Sequence, residues 1–94
     1  MEFSIGQVVI SKAGRDKGGA FIVLGIDGDF LHLVDGLGRP LENPKKKKIK
    51  HVQPTNTVVK DMQSAILGKL YLKDADFRQA LKDFIGKRED VSHG

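Results

Sequence analysis

Two stretches of this 94-residue chain carry residues whose types and spacing suit contact with an anion. The first is Gly14-Arg15-Asp16-Lys17-Gly18-Gly19, where glycines let the backbone turn tightly and two long cations flank one carboxylate. The second is Lys45-Lys46-Lys47-Lys48, followed after Ile49 by Lys50 and His51. Each has a plain alternative. The glycines can serve only to turn a hairpin, and lysines are a known means of blunting an exposed sheet edge. Brought to one side of a fold, the two stretches would instead form a basic stripe fitted to a phosphate backbone. The candidate contacts to a nucleic acid on that reading are Lys12, Gly14, Arg15, Lys17, Gly18, Arg39, Lys45, Lys46, Lys47, Lys48, Lys50 and His51.

Other chemistries find little support. A nucleotide phosphate loop requires Lys and Ser or Thr where Ala20 and Phe21 stand. His32, His51 and His93 have no spacing that assembles a metal site, and with zero cysteines there is neither a disulfide framework nor a thiolate ligand. Asp27 and Asp29 begin like a calcium loop, but the closing glutamate is missing. No nucleophile motif occurs, so the sequence predicts a protein that is not an enzyme, with no cofactor and no small-molecule substrate. The start lacks the basic flank and apolar run of a signal peptide, and the longest apolar stretch, residues 20 to 26, is too short to cross a bilayer. A cytoplasmic protein with no membrane partner is expected.

The formal charge of +4, from 16 basic and 12 acidic residues, is a mild bias toward anionic partners. Its distribution is more telling. Residues 39 to 51 hold Arg39, Lys45, Lys46, Lys47, Lys48 and Lys50 against Glu42 alone, whereas residues 52 to 94 are nearly balanced at seven to six. A charged ligand would meet the chain in its middle.

The elements that must position these charges are short strands. Gln7 to Ser11 is rich in β-branched residues, and Ala20 to Ile26 is apolar almost throughout, which predicts a central strand covered on both faces over part of its length. Asp27-Gly28 marks a hairpin turn into a third strand, Phe30 to Asp35; aromatics are few and Phe21 and Phe30 are expected on core strands, so base stacking is not the expected mode of contact. A fourth strand is expected from about Lys47 to Val52, stopped by Pro54. Close spacing of strands and glycine turns predicts a mainly β fold, an SH3-like partly open barrel over residues 1–56. From residue 57 a helical extension to residue 88 is expected to pack on the barrel. Gly68 interrupts or stops its first helix, either Asp74 or Asp76 caps the second, and Gly86 ends that one. Phe77, Ala80, Leu81, Phe84 and Ile85 form the second helix's apolar face, read as a lid over the barrel in preference to a partner-docking surface. Residues 89–94 are expected to be a flexible tail.

Val8 through Gly18 and the apolar strand after it resemble a KOW motif. Gly14-Arg15-Asp16-Lys17-Gly18, then Asp29-Phe30-Leu31, then the lysine run with Ile49-Lys50-His51-Val52-Gln53-Pro54-Thr55, is similar to the KOW domain of archaeal and eukaryotic large-subunit ribosomal proteins and of small bacterial RNA-binding proteins with that domain. The likeness spans roughly residues 4 to 56. It departs from the general motif at Phe21, where a glycine is usual, and the ribosomal subgroup tolerates a larger residue there. The resemblance implies an SH3-like barrel that binds large-subunit ribosomal RNA on the ribosome, through Gly14, Arg15, Lys17 and Gly18 on the motif turn and Lys45 to Lys48 before the last strand. The competing expectation is a KOW-type protein-docking module in transcription or translation.

Overall fold

The second strand, β2 (Ala20–Asp27), lies third of five in an antiparallel sheet of order β4-β3-β2-β1-β5. Successive side chains of a strand leave opposite faces, and from Phe21 to Leu24 both faces are apolar and covered, while Ile26 at the far end is exposed. Phe21 and Val23 join Val9, Leu31, Leu33 and Val52 in one core; Ile22 and Leu24 join Val8, Val34 and the helices in the other. The remaining strands are β1 (Gln7–Ser11), β3 (Phe30–Val34), β4 (Lys45–Lys48) and β5 (Val52–Val58); helices α1 (Lys60–Leu67) and α2 (Asp74–His93) follow. This computed structural model describes residues 3–93, with side-chain surroundings through residue 87. None of its helices is long and apolar enough to cross a membrane, among the described residues.

The sheet curls strongly without closing. Laid flat, β4 and β1 would stand three strand spacings apart, about 14 Å. Yet the Lys47 ammonium on β4 donates to the Ala13 carbonyl just beyond β1, at 2.7 Å. Only a turn of three residues, the 3-10 helix Ile49–His51, separates β4 from β5, the two edges of the sheet. Part of the bend comes from β2, whose pairing with β3 slips between Val23 and Gly25, a bulge that increases twist. β4 and β5 do not pair, so the sheet remains open.

Several boundaries differ from those read in the sequence. The fourth strand begins at Lys45 rather than Lys47, and the chain turns at Ile49–His51 before β5. Pro54 does not stop a strand: it sits within β5 opposite Val9, on an edge where a missing amide donor is tolerated. β5 therefore crosses residue 56. Val52, Thr55, Thr57 and Val58 supply its β-branched residues, and the Thr55 hydroxyl donates to the Val8 carbonyl at 2.6 Å.

α1 ends at Leu67 as Gly68 suggests, although the left-handed residue is Lys69, with φ of 56°. At the start of α2 the Asp76 carboxylate reaches back to the Lys73 amide at 2.8 Å, half of a capping box. Asp74 instead accepts from the Leu41 amide, also at 2.8 Å, tying the 35–44 loop to the helix. Gly86 does not end α2, which continues to His93. The tail read at 89–94 falls outside the residues whose side chains are described. Phe77, Leu81 and Phe84 cover Val8, Ile22 and Val34, so α2 is packed on the sheet as a lid would be.

Candidate nucleic-acid interface

The β1–β2 turn is held in shape from within. Gly14 and Gly18 have φ of 85° and 89°, values that a side chain disfavours, so glycine is required there by backbone conformation. The Ser11 amide donates to the Gly19 carbonyl and the Gly18 amide to the Ser11 carbonyl, both at 2.9 Å, while Lys17 and Gly19 donate to Gly14 and Asp16. The amides of Lys17, Gly18 and Gly19 are thus engaged internally, which leaves the turn's side chains to meet a ligand.

Asp16 organises the centre. Its Oδ1 accepts from Ser11 Oγ at 2.8 Å and from Lys47 Nζ at 2.9 Å, and its Oδ2 pairs with Lys45 Nζ at 3.0 Å. Its charged partners are not the adjacent Arg15 and Lys17 but two lysines 29 and 31 positions away. The turn and the lysine run do lie side by side, and this carboxylate is the joint. Burial alone would raise the Asp16 pKa, but hydrogen bonds from Lys47, Lys45 and Ser11, with the Lys47 charge, outweigh it and hold the carboxyl well below the usual range.

A folded-state pKa below the unfolded one stabilises the fold above the unfolded value, and that stabilisation is lost as pH falls toward the folded value. Urea unfolding of the wild type and of Asp16→Asn should therefore converge in midpoint as pH is lowered from about 5 to about 2. A gap that stays constant over that range would remove the carboxylate from the account.

Strand pairing decides which lysines remain available. Lys45 and Lys47 pair with Leu33 and Leu31, whose side chains enter the inner core, while Lys46 and Lys48 pair with His32 and Phe30. Residues directly opposite one another share a face, so the run divides in two. Lys47 is 8% exposed and donates to Ala13 and Asp16; Lys45 is half-buried beside it. Lys46 and Lys48 are exposed, their ammonium groups 4.7 and 5.8 Å from the centre of the Phe30 ring.

Among the other candidates, Lys12, Arg15, Lys17, Gly14, Gly18 and Lys50 are exposed. Lys12 is brought to the 3-10 turn by its amide, which donates to the His51 carbonyl at 2.8 Å; His51 itself is half-buried. Arg39 lies elsewhere. Its amide is held by the Asp35 carboxylate at 2.8 Å in a turn that adjoins α2, where Arg78 donates to the Gly36 carbonyl. The candidate surface that remains is six exposed cations, Lys12, Arg15, Lys17, Lys46, Lys48 and Lys50, around a turn and one sheet edge, with Asp16 already matched to Lys45 and Lys47. Asp27 and Asp29, exposed at the β2–β3 turn, are acids at its margin.

No known family model and no curated protein matches this chain. The geometry and the residues carry the functional argument.

Proposed function

We propose that the protein binds RNA through this basic turn and strand edge, that the curled sheet is an SH3-like partly open barrel of the KOW kind, and that the RNA is large-subunit ribosomal RNA met on the ribosome. The observation that carries the reading is the grouping of six exposed cations on this turn, the 3-10 turn and the β4 edge, where the fold matches Lys45 and Lys47 to its own carboxylate and leaves these six unmatched by it. Their side chains would neutralise phosphates and release counterions, which gives affinity and register with little sequence readout. The KOW-like order of the turn, Asp29-Phe30-Leu31 and the lysine run is what narrows the RNA to the ribosome. In this reading the chain performs no catalysis and needs no cofactor.

Crosslinking in cells followed by sequencing of the attached RNA tests it. The expected result is enrichment of one segment of large-subunit RNA, abolished when Arg15, Lys17, Lys46, Lys48 and Lys50 are replaced together by glutamine. Equal recovery of RNA with that variant would overturn it.

A protein-docking module is the second reading, favoured by one observation. Leu67, Leu70 and Tyr71, at the link between α1 and α2, are 64%, 66% and 85% exposed. Ribosome association that resists high salt but is lost on Leu70→Ser with Tyr71→Ser would support docking; association lost with salt supports phosphate contact.

A further inference from the structure

The sequence places Phe30 on a core strand and argues against base stacking; it does lie on β3, but it belongs to neither hydrophobic core and is only half-buried. The strand's own alternation explains this. Leu31 and Leu33 take the inner core, which sends Phe30, His32 and Val34 to the opposite face. Val34 there lies under α2, while Phe30 and His32 extend beyond the helices' cover.

Their neighbours make a platform. One row across the sheet is Gly25, His32 and Lys46, and the next is Asp27, Phe30 and Lys48. Gly25 leaves the ground beside the His32 ring without a side chain; a Cβ there would stand 3.5 Å from His32 Cδ2. On the other side, two ammonium groups hang over Phe30 at 4.7 and 5.8 Å. Two aromatic side chains two residues apart on one strand, with cations along one flank, suit an unpaired base and the phosphates that flank it. Asp27 is the acid in these rows, an acceptor suited to a base N–H donor and repulsive to a phosphate.

Resting on the RNA-binding reading, we infer that Phe30, assisted by His32, is a stacking platform for an unpaired base, with Lys46 and Lys48 moving from the ring to the adjacent phosphates. The rest of the basic surface binds phosphate in paired or unpaired RNA alike; this corner selects the unpaired form.

The chain has no tryptophan, so Phe30→Trp places a single reporter at the proposed contact. Its emission should be quenched by a short oligouridine and left unchanged by a fully paired RNA duplex of equal length. Phe30→Leu, checked for unchanged circular dichroism and urea midpoint, should bind the oligouridine about 5- to 150-fold more weakly, with duplex affinity unaltered. If Phe30→Leu binds oligouridine as well as the wild type while Lys46→Gln with Lys48→Gln weakens both probes, stacking is refuted and phosphate binding stands. If the wild type binds neither probe, both readings fall together.

Discussion

Asp16→Asn is expected to destabilise the protein by roughly 2–3 kcal/mol, because it leaves two lysines, one of them nearly buried, without a counter-charge. The amide can still accept from Ser11, so the loss reports charge rather than hydrogen bonding. The value lies below the about 3–5 kcal/mol of a fully buried broken pair, since the site opens partly to solvent. A double-mutant cycle with Lys47→Met isolates the pair: the two changes together should cost less than their sum. RNA affinity should move the other way from stability. The variant gains a positive charge, so wherever it is folded it should bind RNA at least as tightly as the wild type. Loss of stability with retained binding marks Asp16 as structural, and unaltered stability would contradict the role assigned to it.

Phe77→Ala should cost still more, about 3–5 kcal/mol, and lower Tm by more than about 10 °C. Phe77 is fully buried in the core that joins α2 to the sheet, against Val8, Ile22 and Val34 with Met62, Leu81 and Phe84. Its removal leaves a cavity that neighbouring strands cannot close without losing their pairing. The consequence reaches the interface indirectly, since Val8 and Ile22 lie on β1 and β2, the strands that carry the basic turn. Phe77→Leu, which keeps most of the volume, should cost much less. Thermal unfolding of the two variants measures the difference; a cost below about 1 kcal/mol for alanine would mean that α2 contributes little to the fold.

How much of this could be read beforehand depended on whether the deciding interaction was local. β1 and β2 were legible because β-branched and continuous apolar residues have few other uses in so short a chain, and the start of α2 because Asp74 and Asp76 precede a helical apolar repeat. The proximity of the two basic stretches was legible as an expectation. Its mechanism was not: Asp16 finds Lys45 and Lys47 only after the sheet has curled, and nothing near Asp16 in sequence announces them. The division of the lysine run was equally hidden, since four identical residues carry no pattern. Register with Leu31 and Leu33 sends alternate lysines inward. Phe30 lies on a core strand as its sequence context suggests, but its parity with Leu31 places its side chain outside both cores. Pro54 signalled a strand end, yet an edge strand such as β5 has a side on which no donor is needed.

The salt dependence of binding to large-subunit ribosomal RNA tests the central claim most directly. With six exposed cations engaged, log affinity should fall against log salt with a slope of about 4 to 5 in magnitude, and Lys46→Gln with Lys48→Gln should reduce that slope by about 1.4 to 1.8. A slope near zero, or one untouched by that pair of substitutions, would contradict the assignment of this turn and strand edge to a phosphate backbone.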